Sequence, residues 1–140
     1  MKVYQKNDSD CLQASLATLL NINYESIPEF YKFVNKEKGF YNAYVDWLKK
    51  EGLVSITVVA RYIMNKDINN EKTIWSDLYD FTGTIKCLGI LQRKDREWSH
   101  TVVLEINKDR TIKMFDPSRK GSDFTLDDLW HIEIIFKEGK

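Results

Sequence analysis

Hydrophobic positions follow two different periods along this chain, and the change falls near residue 54. Before it, Leu12, Leu16, Leu19 and Leu20 recur at i, i+4, i+7 and i+8 with Ala14 and Ala17 beside them. That spacing predicts an amphipathic helix opening at Cys11, with Ser9 or Asp10 as its N-cap. Ser26-Ile27-Pro28-Glu29 reads as a capping box for a short helix through Phe30, Phe33 and Val34 that ends by Gly39. Tyr41, Tyr44, Val45 and Leu48 mark a further helix to Lys50, stopped by Gly52. After it the period is two. Val54 to Val58 alternates as a strand, and Ile85 to Leu91 is apolar enough to be buried on both faces. Two more strands begin at His100 and Thr111, a Thr125-capped helix comes next, and His131 to Phe136 closes the pattern. Helices first and an antiparallel sheet second predict an α+β fold in a single domain, 1–140. Tyr62 to Thr84, rich in Asn, Asp and Lys, fits neither period, apart from a short helix at Ile74 to Leu78.

The strands at His100 and Thr111 carry an implication beyond fold. Alternation sets His100, Val102 and Leu104 on one face, and Ile112, Met114 and Asp116 on one face of the next strand. The polar run Asn107-Lys108-Asp109-Arg110 between them predicts a hairpin. Pairing Ile106 with Arg110 puts the apolar sets together and His100 directly opposite Asp116. Opposed side chains have Cβ atoms roughly 4.5–5.5 Å apart, close enough for a carboxylate to orient an imidazole.

Cys11 gives that pair something to act on. A thiol in the first turn of a helix sits beside unpaired N–H groups and the positive end of the helix dipole, which favour thiolate. Asp8 and Asp10 oppose this by their charge, so a cationic partner has to come from elsewhere. The chain has two histidines. His100 has the patterned acid, whereas His131 alternates with Glu133 away from Ile132, Ile134 and Phe136 and reads as solvent-facing.

Gln5 six residues before a helix-opening Cys11, followed late in the chain by His100-Thr101-Val102-Val103-Leu104 and then Asp116-Pro117, resembles the papain-like cysteine peptidases. In layout it is nearest to the bacteriocin-processing domains that cleave double-glycine leaders and to small phage and bacterial proteins of that fold. The resemblance covers Gln5 to Leu20 and Ser99 to Trp130. It implies Cys11 as nucleophile, His100 as general base and acid, Asp116 as the residue orienting the histidine, and Gln5 as an oxyanion donor. It also implies a substrate groove near Leu12, Trp98 and Ser99, and a short closing helix at Thr125 to Trp130. Leu12 stands where the leader peptidases usually carry glycine, and Ser15 where many carry a second cysteine.

Composition narrows the partners. Lys plus Arg equals Asp plus Glu, for formal net charge +0, which gives no electrostatic case for nucleic acid or an anionic membrane. No apolar run reaches membrane-spanning length and Met1-Lys2-Val3 begins no signal pattern, so the expectation is a cytoplasmic protein with free thiols. The expected partner is a peptide or protein substrate, with no cofactor and no zinc, since the two cysteines and two histidines form no close ligand pairs.

Each residue also has a plainer role. Cys87, mid-strand, reads as packing, and Trp47, Trp75, Trp98 and Trp130 as core by default, with Trp98 also a candidate cleft wall. Two other functions fit the same residues. A glutamine deamidase or transglutaminase would share the triad, and a catalytically idle papain-like module, such as a phage protein blocking a host factor, would keep only the fold.

Overall fold

A computed structural model of the chain describes residues 1–59, 82–108 and 111–139. Most of the unassigned 62–84 stretch, with Trp75 and the expected 74–78 helix, lies outside the described residues.

Helix α1 spans Cys11–Leu20 and ends at Asn21, which takes the left-handed conformation that commonly closes helices and donates its N–H to the Ala17 carbonyl. Asp10 occupies the N-cap position, but its carboxylate does not cap. It turns back to accept from the N–H groups of Lys6 and Asn7 (2.9 and 3.3 Å), from Gln5 Nε2 (3.4 Å) and from the Tyr24 hydroxyl. Several converging loop donors outcompete one helix N–H.

The capping box expected at Ser26 does not form. Ile27, restricted by Pro28, is extended, and the Ser26 hydroxyl donates to the Asn23 carbonyl. Beyond Pro28 the chain makes a four-residue 3-10 turn, Phe30–Phe33, rather than an α-helix. Helix α2, Phe40–Lys50, forms where expected, but it buries Ala43, Tyr44, Trp47 and Leu48 and leaves Tyr41 in solvent.

The described strands are β1 (Leu53–Val59), β2 (Thr84–Leu91), β3 (His100–Asn107), β4 (Ile112–Phe115) and β5 (Leu129–Lys137). They form one antiparallel sheet in the order β1-β5-β2-β3-β4, so the fold is α+β. The sheet is apolar on both sides. Toward the helices, Leu88 and Ile90 meet Leu12, Leu16, Phe30 and Trp47. Phe30 is the hub, with edge-on contacts to Phe40, Tyr44 and Trp47. On the opposite face Cys87, Val102, Leu104, Ile106 and Ile132 pack with Phe124. Gly89 pairs with both Val102 and Ile132, and a Cβ there would lie 2.7 Å from Leu104 Cδ1. A side chain on β2 at that point has no room.

The β3–β4 hairpin keeps the parity expected but not the register. Ile106 opposes Ile112 and Val103 opposes Phe115, so each β3 residue pairs two positions further along the chain than expected. Asn107 sets this: its N–H bonds the Thr111 carbonyl (3.0 Å) and its side-chain amide the Thr111 hydroxyl (2.9 Å). His100 is therefore diagonal to Asp116 rather than directly across from it.

A two-sided sheet also corrects two surface assignments. His131 and Glu133 do lie on the face opposite Ile132 and Ile134, yet that face is covered, and Glu133 accepts a hydrogen bond from Tyr44 of α2 (2.8 Å). Trp47 is core as expected, whereas Trp98 and Trp130 are 57% and 55% exposed. The Thr125 signal does form a capping box with Asp128, around a single 3-10 turn at Leu126–Asp128. Among the described residues no helix is long and apolar enough to cross a membrane.

Candidate active site

Helix α1 meets the sheet where β3 begins. Strand β4 ends opposite Val103, leaving the edge of β3 beyond it open. Thr101 uses that opening twice: its N–H points to Cys11 Sγ (3.4 Å) and its carbonyl accepts from the Ser15 hydroxyl (3.1 Å). Two contacts one helical turn apart fix the start of α1 against β3. His100, the first residue of β3, stands at the end of the sheet, directly before the Thr101 N–H that points to Cys11 Sγ, close enough for its charge to act on the thiol.

The imidazole is held on three sides. Nε2 lies 2.7 Å from Asp116 Oδ1, which leaves Nδ1 as the ring nitrogen available to the Cys11 thiol, and Phe124 stacks on the ring at 5.5 Å with the planes 23° apart. Asp116 is itself held through both oxygens. Oδ1 also accepts from the Ser118 N–H (2.9 Å), and Oδ2 accepts from the Ser122 hydroxyl (2.5 Å). These bonds fix the rotation of the carboxylate and so the tilt of the imidazole.

The electrostatics follow from these contacts. Burial pushes the Cys11 thiol up, but the hydrogen bond and charge of His100 and the Thr101 N–H outweigh it, so the thiol lies below its ordinary value. Burial pushes His100 down, and Asp116 and Cys11 together lift it to about 9. Burial raises Asp116, while His100, Ser122 and the Ser118 N–H bring it down to about 2. The arrangement favours thiolate, imidazolium and carboxylate in a row. Cys87 is the contrast: buried with no charged partner to offset desolvation, its thiol is pushed up to about 12.

Gln5 is brought to the same place by its backbone. Its N–H bonds the Pro117 carbonyl (2.8 Å) and its carbonyl accepts from Arg119 Nε (3.2 Å), laying the N-terminal segment beside the Asp116-Pro117 turn. The side chain is 8% exposed, and Nε2 donates within its own loop, to the Asn7 carbonyl (3.0 Å) and Asp10 Oδ1 (3.4 Å). Gln5 Oε1 is buried without a hydrogen-bond partner among the described residues.

The expected groove residues separate. Trp98 and Ser99 are exposed immediately before His100, and Trp98 packs edge-on against Phe124 at 5.4 Å. Leu12 points inward and belongs to the helix-side core. Sequence reasoning missed Ser122, Phe124 and Thr101. The first two come from a loop with no periodicity, and Thr101 acts through its backbone, so residue type carried no signal. Among the described residues no group of three His, Cys, Asp or Glu side chains is positioned to hold a metal ion.

No protein-family model matches this sequence, and no curated protein is detectably similar to it.

Proposed function

We propose that this chain is a cysteine-dependent hydrolase of peptide or amide bonds, built on a papain-like plan. The observation that carries the reading is geometric: the His100 imidazole lies 2.7 Å from the Asp116 carboxylate, and the next residue of β3, Thr101, points its N–H at Cys11 Sγ at 3.4 Å. In this mechanism Cys11 thiolate attacks a carbonyl carbon, the carbonyl electrons move to oxygen, and the tetrahedral oxyanion is met by N–H groups at the start of α1, which have no intrahelical partners. The oxyanion collapses, the leaving amine takes its proton from His100, and a thioester remains on Cys11. His100, now neutral, removes a proton from water, and hydroxide attack on the thioester releases the acid and restores the pair. Asp116 holds the tautomer and stabilises the imidazolium throughout.

The binding-module reading keeps one specific support. Both amide protons of Gln5 are engaged within its own loop, so Gln5 donates to an oxyanion only if it gives up Asn7 or Asp10. Acyl transfer from p-nitrophenyl acetate separates the two. A hydrolase gains one acetyl group on Cys11, seen by mass spectrometry, and loses it with continuing p-nitrophenol release. A Cys11 that never acylates, or holds its acetyl group indefinitely, identifies an idle scaffold.

A further inference from the structure

Two loops flank the candidate site, and one ion pair ties them together. The segment from Gln92 to Ser99 leads into His100, and Pro117 to Phe124 comes after Asp116. Arg96, in the first, makes a two-pronged contact with Asp123 in the second: Nη1 to Oδ1 at 2.7 Å, with Nη2 on Oδ2. Arg93 reaches the same carboxylate at 3.5 Å, and the Arg96 guanidinium lies 4.9 Å from the Phe124 ring centre and 5.2 Å from that of Trp98. The chain neighbours of Asp123 are Ser122, which bonds Asp116 Oδ2, and Phe124, which stacks on His100.

We propose that the Arg96–Asp123 pair is a positioning device for His100, holding Ser122 against Asp116 and Phe124 against the imidazole. The proposal rests on the thiolate–imidazolium reading of Cys11 and His100. An exposed ion pair contributes little to global stability. A planar, bidentate, stacked guanidinium nevertheless sets geometry well, because its fork fits a carboxylate in one orientation. Fixing residue 123 fixes both of its neighbours. Releasing it lets water reach the His100–Asp116 bond and the ring tilt away from the sulfur. The charged groups involved are Cys11 and Asp116 around His100, Arg93 and Arg96 around Asp123, and Asp95 and Asp128 near Arg96. Arg96 and Asp123 touch no reacting atom, so theirs is a positioning role.

The test is the pH profile of Cys11 alkylation by iodoacetamide in the intact chain, for wild type, Asp123→Asn, Arg96→Gln and the double variant. Asp46→Asn, which breaks an exposed pair between α2 and Lys38 just before it, serves as control. The pair predicts that the pH range over which Cys11 reacts as a His100-paired thiolate narrows by about 0.5–1 unit in each single variant. The double variant loses no more than either single one, and Asp123→Glu recovers most of the range. Asp46→Asn leaves it unchanged. Profiles identical to wild type, additive losses in the double variant, or loss of the whole fold by circular dichroism overturn the proposal. A wild type with no reactivity below the ordinary thiol range sinks the parent reading, and this proposal with it.

Discussion

The chain contains two histidines, each on a strand and each beside a carboxylate, and they end in opposite electrostatic states. His100 lies 2.7 Å from an Asp116 whose remaining contacts are neutral donors, and it is lifted to about 9. His131 lies 3.8 Å from a Glu133 already engaged by the Tyr44 hydroxyl, and burial takes it below its ordinary 6.5. A histidine near a carboxylate is therefore not by itself a base. Two things separate them: how short the contact to the carboxylate is, and whether a thiol also interacts with the ring. His100 has both and stands at the end of the sheet. His131 has neither and is fixed over the middle.

Removing each histidine in turn gives the largest expected difference. At pH 6 His100→Ala slows alkylation of Cys11 about 10²-fold, because an unpaired thiol near pKa 8.5 is almost wholly protonated there. His131→Ala leaves that rate unchanged, and equal losses in the two variants would break the comparison. Asp116→Asn comes next. It keeps the shape and removes the charge, so the His100 imidazole should titrate lower by about one unit or more, measured from its ring proton shifts by NMR.

Gly89→Ala sharpens the contrast through packing, since β2 runs between the two histidine strands. The atoms nearest the new methyl are Leu104 Cδ1 and Cγ and Val102 Cγ2, all on the His100 strand. Overpacking there should cost about 1–3 kcal/mol in denaturant unfolding and disturb Cys11 reactivity, while the NMR titration of His131 stays in place.

The smallest effect is on stability against pH. His131 folds with a lowered pKa, so its contribution is present above 6.5 and is lost as pH falls through and below that value. His131→Gln should flatten the decline of melting temperature on the acid side of 6.5. His100, raised from 6.5 to about 9, contributes below 6.5 and loses its contribution as pH rises through 9. Cys11 acts in the opposite sense: its thiol is lowered from 9.0, so its contribution is present above 9.0 and is lost as pH falls through the lowered value. Asp116 acts lower, its stabilisation being lost as pH falls from 3.8 toward about 2.

Much of this was legible in the residues, for identifiable reasons. The α1 periodicity located Cys11 at a helix start, and the parity of β3 and β4 brought His100 and Asp116 to one face whichever even register formed. The register itself was not legible, because the Asn107–Thr111 bonds that set it are side-chain and backbone choices within the turn. Asp10 looked like a cap because its type and position fit, and only the converging donors of Lys6, Asn7, Gln5 and Tyr24 show why it faces away. Ser122 and Phe124 were invisible for a similar reason. Their role depends on a loop whose path is set by Arg96, more than twenty residues earlier.

The central claim is the thiolate–imidazolium pair, and the most direct measurement is the alkylation rate of Cys11 from about pH 4 to 10, with Cys87 on the same molecules as internal reference. The pair predicts that Cys11 reacts well below pH 7 with a second inflection near 9, while Cys87 stays silent until the protein unfolds. A single inflection for Cys11 near pH 8.5, or reactivity no greater than that of Cys87, would contradict it.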